Sequence, residues 1–221
     1  MLARDSSETR MGDAPSVTTF VMDKRLPWPD DGAVREIGGP FDAGVIHGSG
    51  KPRDCSIRRI STLGATLSGD VAVAPGDEIA IELATGQRPA ATIDWVDGGE
   101  AGVVFKQPVD VIALINRNLI AQPAERRTMP RVELRCRVHL KWGVTVAAAM
   151  LRNISARGLQ VEGEGLPPGG TFVSTYVDGL NLPAGEVVWQ KGELAGIELL
   201  DELTWSSIIP WIREIGRRGS A

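Results

Sequence analysis

The chain has few of the residues that build metal centres, disulfide frameworks and catalytic triads. Its 221 residues include two cysteines, Cys55 and Cys136, and two histidines, His47 and His139, at unrelated positions. Their spacing matches neither a metal site nor a nucleophile–base pair, and the acidic residues form no recurring pair suited to general acid–base catalysis. We therefore predict two reduced thiols, no metal ion, no cofactor and no enzymatic activity.

Long apolar runs are also missing. No segment approaches the ~20 residues that span a bilayer, and the first residues have no apolar signal-peptide core. We therefore expect a cytoplasmic protein without membrane insertion. A formal net charge of −4 and a pI near 5.3 disfavour general binding to DNA or RNA, because nucleic-acid-binding domains are normally basic.

Turn residues are abundant, with 26 glycines and 14 prolines that separate many short β runs. Residues 1–40 are rich in Asp, Ser, Gly and Pro, and we predict a flexible N-terminal arm there. Within it, only residues 17–22 resemble a strand, one that could add to a sheet edge. Further along, residues 108–120 and 201–215 have apolar side chains every three to four positions, which predicts two helices.

The two halves of the chain repeat each other at an offset of 94 residues. This repeat predicts a tandem duplication of a β-rich unit that ends in a helix, with domains at 41–121 and 122–216. We expect the repeated tryptophans to pack in the core. The matched landmarks are Ser61 and Ser155, Gly64 and Gly158, Trp95 and Trp189, and Gly102 and Gly196.

Residues 132–142 alternate strictly between apolar and polar side chains. A period of two over this length predicts a strand with one buried and one solvated face. A small antiparallel barrel satisfies this pattern and leaves no long free edge. Cys136 lies in the apolar phase, so we predict a core thiol.

Basic residues concentrate between positions 126 and 157. This interval holds eight of the 24 Lys and Arg residues and a single acid, Glu133, which predicts an anionic partner. Pro130 disfavours a helix at its start, so Arg126, Arg127 and Arg131 belong to an extended arm. Guanidinium groups grip phosphate or a guanine edge bidentately. The other interpretation of this arm is a solvated linker between the two domains.

A second polar cluster follows the alternating strand. Asn153 offers an amide donor and acceptor, and Ser155 offers a hydroxyl that does both. Gly158 permits a positive φ or a close backbone approach at a corner. This cluster is suited to reading the polar edge of one base while the arginine arm holds its phosphates.

The spacing Arg127-x-x-x-Arg131 followed by Asn153-x-Ser155-x-x-Gly158 resembles the paired signature of PilZ domains. The resemblance implies a mainly β fold of two tandem six-stranded antiparallel barrels, each followed by a C-terminal α-helix. It also implies cyclic di-GMP as ligand. By the same resemblance, Arg127 and Arg131 contact the phosphates and guanine faces, Asn153 and Ser155 hydrogen-bond a guanine, and Gly158 shapes the turn.

Two further arginines enter through this resemblance. Arg126 is similar to the additional arginine of family members that hold an intercalated ligand dimer, and Arg157 is a candidate accessory contact. The first copy departs from the signature, because Arg59 occupies the position of Asn153 and no arginine matches the arm. We therefore predict a degenerate first domain that does not bind the nucleotide. Its Arg58 and Arg59 are available to reach the neighbouring domain or a partner.

These observations favour a bacterial cyclic di-GMP receptor whose arm, at the domain junction, reorients the two barrels. The expected output is a changed surface for a protein partner in motility, exopolysaccharide or biofilm regulation. Three alternatives stay open: a flagellar-brake-type protein with an N-terminal PilZ-like domain, a PilZ-fold interaction module that binds no nucleotide, and an oligonucleotide-binding barrel.

Overall fold

In the computed structural model of the protein, the described residues are 18–29, 41–69, 72–121 and 131–218. They form a mainly β structure in which thirteen strands pair into one continuous sheet, with two helices. After β1 (Thr19–Val21), the first unit contains β2 (Asp42–His47), β3 (Arg53–Ser61), β4 (Gly64–Ser68), β5 (Glu78–Glu82), β6 (Ala90–Asp97), β7 (Glu100–Phe105) and α1 (Val111–Ala121). The second unit contains β8 (Arg131–Trp142), β9 (Thr145–Ile154), β10 (Gly158–Glu162), β11 (Phe172–Tyr176), β12 (Gly185–Lys191), β13 (Leu194–Leu199) and α2 (Trp205–Arg218).

The six strands of the second unit close into a barrel. Antiparallel pairs run from β8 through β9, β10, β13, β12 and β11 and back to β8. Val132, Leu134, Val138 and Leu140 face the core and are at most 1% exposed, which confirms the alternation in the sequence. The prediction of a closed six-stranded antiparallel barrel is therefore confirmed for this unit.

Cys136 does not lie as deep as the alternation predicts. The register between β8 and β9 shifts between Glu133 and Cys136, and Cys136 is only half-buried. Desolvation, with a smaller contribution from Asp23, still raises the pKa of the Cys136 thiol to about 11. The thiol is therefore protonated and a weak nucleophile at neutral pH.

The strand pairs of the first unit follow the sequence repeat. They run in the corresponding order, from β2 through β3, β4, β7, β6 and β5 and back to β2. The registers also match: Glu82 pairs with Val45, and Tyr176 pairs with His139, each 94 residues further on. Outer-surface positions of one unit can therefore be compared directly with those of the other.

The repeated tryptophans lie on the outer surface, so the prediction of core packing is wrong. Val187 faces the core, but a bulge between Val187 and Trp189 reverses the alternation, and Trp189 is 43% exposed. Its indole covers Gly196, where an added Cβ would lie 2.1 Å from Trp189 Nε1. The first unit repeats this arrangement with a bulge, and a Cβ on its matching glycine would lie 2.0 Å from the indole nitrogen of Trp95.

Strand β1 lies between the two units and pairs with both. It runs parallel to residues 59–61 of β3 on one side and to residues 131–133 of β8 on the other. Phe20 and Val21 are fully buried, and the Met22 N–H donates to the Glu133 carbonyl at 2.9 Å. The strand-like piece of the predicted N-terminal arm is therefore an interior strand of the sheet rather than an edge.

An ionic cluster spans the same junction. Glu133 Oε2 accepts hydrogen bonds from Arg25 Nη2 at 2.9 Å and from Arg59 Nη2 at 2.6 Å. The Glu133 side chain is 15% exposed and that of Arg59 17% exposed, so solvent screens their ion pair little. Arg59 thus reaches the neighbouring unit, whereas Arg58 pairs with Glu100 of its own unit at 2.8 Å.

The two helices pack where the sequence predicts them. The buried face of α2 includes Ile208, Trp211 and Ile212, and the Trp211 indole N–H donates to the Asp178 carbonyl at 2.8 Å. Leu114 and Ile115 are similarly buried on α1. Within the ranges given above, neither helix is long and apolar enough to cross a membrane.

The stacking of Trp189 on Gly196 yields a first prediction. We expect Gly196→Ala to lower the free energy of unfolding by about 1–3 kcal/mol, because the new methyl group overlaps the indole. In a Trp189→Ala background the same substitution should cost much less, since the obstacle is gone. Urea unfolding of the four proteins measures both effects, and an equal loss in the two backgrounds would contradict the stacking explanation.

The ionic cluster yields a second prediction. We expect Glu133→Gln to lower the free energy of unfolding by about 1–3 kcal/mol, because Arg59, 17% exposed, loses its counter-charge and Arg25 keeps only its pair with Asp23 at 3.6 Å. Glu78→Gln is the matched control. It removes an exposed ion pair with Lys106, of side-chain exposure 73% and 46%, and should cost less than about 1 kcal/mol. Equal losses would show that the cluster contributes no more than a surface pair.

Candidate functional site

The described part of the candidate site lies at the end of the barrel of the second unit, beside β1. Val132 and Ile154 pair with each other and are fully buried. Since side chains alternate along a strand, Arg131 at the start of β8 and Asn153 and Ser155 at the end of β9 face the outer surface. The structure therefore brings these three predicted residues together, on adjacent strands.

Asn153 belongs to a polar row across three strands. It pairs in register with Glu133 on one side and with Gln160 on the other. Its Nδ2 donates a hydrogen bond to Gln160 Oε1. This bond fixes the amide plane and leaves Oδ1 as an acceptor directed away from Gln160. No pattern in the sequence points to Gln160, because its role depends on the β9–β10 register.

Ser155 and Gly158 close the tight turn between β9 and β10. The Ser155 N–H donates to the Gly158 carbonyl at 2.9 Å, and Ser155 Oγ accepts from the Arg157 N–H at 3.4 Å. The first unit builds the same turn, where the Leu63 N–H donates to Ser61 Oγ at 3.1 Å. The serine therefore has a local structural role in both units, and this role is compatible with ligand contact.

Gly158 is required for space. Its φ is not positive, but an added Cβ would lie 2.7 Å from the Ile197 carbonyl oxygen on β13. At Gly64 of the first unit, the corresponding distance to the Val103 carbonyl oxygen is 2.2 Å. Of the two reasons considered for this glycine, close backbone approach is the one that applies. The shared Ser-x-x-Gly is thus explained by the fold of both units.

Charges around the site are largely compensated. The carboxylate of Glu133, beside Asn153, would repel an anionic ligand, but Arg25 and Arg59 neutralise it. Arg157 contacts Glu202 at 3.3 Å with both side chains about half exposed, so this accessory candidate is held by a screened pair. Glu133 stands out in the sequence as the lone acid of the basic interval, but no pattern points to Arg25, which lies more than a hundred residues earlier.

Two predicted residues, Arg126 and Arg127, lie outside the described residues. Arg131, the last residue of the signature arm, is half-buried at the first position of β8. The arrangement that is described offers an amide, a hydroxyl and a guanidinium on one surface. Within the described ranges, no group of three or more His, Cys, Asp or Glu side chains could hold a metal ion.

Comparison with known proteins gives a faint likeness. No family model and no curated protein matches the chain. Among solved structures, PlzA of Borreliella burgdorferi in complex with c-di-GMP has a TM-score of 0.32 and 9% identity, covering 78% of this chain and 86% of that one. The Bacillus subtilis inhibitor of motility MotI/DgrA has a TM-score of 0.30 and 13% identity, covering 81% and 96%. Escherichia coli YcgR in complex with c-di-GMP has a TM-score of 0.27 and 11% identity, covering 79% and 81%.

Proposed function

We propose that the chain is a cyclic di-GMP receptor of the PilZ type. The observation that carries the proposal is the clustering of Arg131, Asn153 and Ser155 on one outer surface, at the point where residues 122–130 lead into β8. This surface joins a permanent cation to neutral base-reading groups, the combination that a cyclic dinucleotide requires. The receptor has no catalytic role, and its ligand is the nucleotide.

The residue roles follow from the chemistry of each side chain. Arg126, Arg127 and Arg131 clamp the phosphates and stack on guanine, while Asn153 and Ser155 read a guanine edge. Gly158 holds the turn that carries Ser155. Arg157 acts as an accessory cation, released from Glu202 at little cost because that pair is exposed.

We propose the two domains at residues 41–121 and 122–216 as PilZ-like barrels produced by duplication. The first domain does not bind nucleotide, because Arg59 replaces the amide and is held by Glu133 instead. The common register of the two units favours plain duplication over a flagellar-brake-type N-terminal domain. The output is a change of interdomain arrangement that is sensed by a protein partner, with no DNA or RNA involved.

Binding of the nucleotide tests the proposal directly. In calorimetric titrations we expect Arg127→Ala and Arg131→Ala each to weaken affinity for cyclic di-GMP at least about 100-fold, since each removes charge-assisted phosphate contacts. Asn153→Ala should weaken it about tenfold through loss of base contacts.

Arg88→Ala is the matched control. It removes an exposed arginine of the first unit, 59% exposed, and should leave affinity unchanged. Thermal unfolding without ligand establishes that each variant is folded. If calorimetric titration of the wild-type protein with micromolar cyclic di-GMP showed no heat of binding, the alternative of an interaction module that binds no nucleotide would be favoured.

The interdomain change has its own test. Because β1 pairs with both units, a reorientation must disturb one of its two parallel ladders. We expect saturating cyclic di-GMP to alter amide hydrogen exchange at Phe20 and Val21 and the radius of gyration from small-angle scattering. Binding with no change in either measurement would refute the rearrangement and leave the receptor function intact.

A further inference from the structure

The outer face of the second barrel carries a surface that the nucleotide site does not use. On β8, Arg137 and Lys141 point outward and are exposed. They are four positions apart, with His139 between them on the same face of the strand. Exposed aromatic side chains flank them on β11, where Phe172 is 62% and Tyr176 55% exposed. On the other side of β8, Val146 of β9 pairs with Lys141, and its side chain is 60% exposed. We call this the cationic–aromatic face: Arg137, Lys141, Val146, Met150, Phe172 and Tyr176.

Register shows that these side chains belong to one continuous surface. Arg137 pairs with Met150 and Lys141 with Val146 across β8 and β9. Tyr176 pairs with His139 across β8 and β11, so it lies level with the middle of the basic row. The two cations on β8 therefore lie between an apolar row on β9 and an aromatic row on β11. Neighbouring strands are ~4.8 Å apart and alternate residues along a strand ~6.8 Å apart, so the rows are close enough to be covered together.

The first unit supplies an internal comparison, because equivalent positions are 94 residues earlier. The positions of Phe172 and Tyr176 are occupied there by Glu78 and Glu82. Glu78 pairs with Lys106 at 2.6 Å, and Glu82 pairs with Arg88 at 2.7 Å. That side of the barrel is therefore polar and satisfied by its own ion pairs.

The remaining equivalent positions show the same contrast. Ala43 and His47 replace Arg137 and Lys141, and Pro52 and Ser56 replace Val146 and Met150. His47 also binds Glu82, at 3.1 Å, and this hydrogen bond lowers the pKa of Glu82. The barrel fold thus forms with an ordinary polar surface here. The cationic–aromatic face of the second unit is not a requirement of the fold.

The cations of the face are also uncompensated. Arg137 and Lys141 make no ion pair with any described residue, whereas Arg152 and Arg157 of the same unit pair with Glu162 and Glu202. Exposed Phe172 and Tyr176 on the strand next to Arg137 and Lys141, with half-buried Met150 on the other side, resemble the aromatic, Arg- and Met-rich composition of protein-interface centres. An acid in a partner can replace water on these cations without first breaking an intramolecular pair.

We infer that the cationic–aromatic face binds an acidic segment of a partner protein, one that presents carboxylates and apolar side chains on the same face. Carboxylates four positions apart in an extended segment would meet Arg137 and Lys141, which are four positions apart on β8, and apolar side chains on that face would cover Tyr176, Phe172 and Val146. The barrel is closed at β8, so recognition uses side chains and not backbone strand addition.

Charge decides against nucleic acid as the occupant. The face offers few cations on a chain of net charge −4, so a polyanion extending beyond it would meet acidic surface. The carboxylates of a short acidic segment meet only the basic row and do not extend to the acidic surface beyond it. The apolar rows flanking it contribute affinity that does not depend on salt.

The test uses a short fluorescein-labelled peptide of repeating Glu-Ser-Leu-Ser, which in extended form presents glutamate and leucine on one face. It is titrated without nucleotide, so that its result is independent of the receptor proposal. We expect Arg137→Glu with Lys141→Glu to weaken peptide binding by fluorescence anisotropy at least about tenfold. Phe172→Ser with Tyr176→Ser should weaken it about tenfold as well, since exposed aromatic anchors are lost. A peptide with serine in place of leucine should bind about tenfold more weakly.

The matched control is Arg88→Glu with Lys106→Glu, which changes net charge equally on the equivalent face of the first unit. It should leave peptide binding unchanged, and circular dichroism establishes that all variants are folded. Equal loss in the control, absence of peptide binding, or binding of an oligothymidylate in its place would overturn the inference. Concentration-dependent dimerisation abolished by the face variants would also overturn it, in favour of a second copy as occupant.

Discussion

The parallel pairing of β1 with two strands is the interaction on which the arrangement of this protein depends. Residues 59–61 of β3 and 131–133 of β8 each pair with a strand of their own unit on one edge only. On the other edge they extend beyond β2 and β11, so without β1 their backbone groups would be unpaired there. Three residues of β1 satisfy both strand ends. The result is one continuous sheet in place of two independent barrels, with the candidate site at its middle.

The ionic cluster makes this junction specific. Backbone pairing alone tolerates a shift along the strand, but Glu133 must lie within reach of Arg25 and Arg59 together. Arg59 occupies the position that Asn153 occupies in the second unit. The corresponding position therefore has a different role in each unit: in the second it carries an amide that donates to Gln160, and in the first it carries a guanidinium that anchors the neighbouring unit.

Much of the fold could be predicted because its signals are local or repeated. The alternation of β8, the helical periods and the 94-residue offset follow from side-chain sequence alone. The outward position of Trp189 could not, because a bulge that reverses alternation has no reliable signal in one sequence. The pairing of β1 could not be assigned either, since a three-residue parallel strand depends on partners far along the chain.

The candidate site divides in the same way. The spacing in the sequence predicts Asn153, Ser155 and Gly158 as site residues, and the β8–β9 register puts Asn153 on the strand next to Arg131. The structure adds that Ser155 and Gly158 are explained by the turn itself, because Ser61 and Gly64 build the same turn. Features that differ between copies are therefore more informative about binding than those that recur. Asn153 and the arginine arm differ; the serine and glycine recur.

The position of β1 also constrains the order of events during synthesis. The hydrogen bond between Asp23 and the Arg135 N–H spans 112 positions, so the ribosome must finish β8 before the N-terminal strand has its second partner. Until then, one edge of β1 is unpaired and the apolar side chain of Phe20 is not fully buried. Unpaired edges and exposed apolar side chains promote association between nascent chains. Completion of this contact of high sequence separation is a slow step by topology. Among the described strands, β1 is the first along the chain, and it must wait for residues 131–133 of β8 before both of its edges are paired.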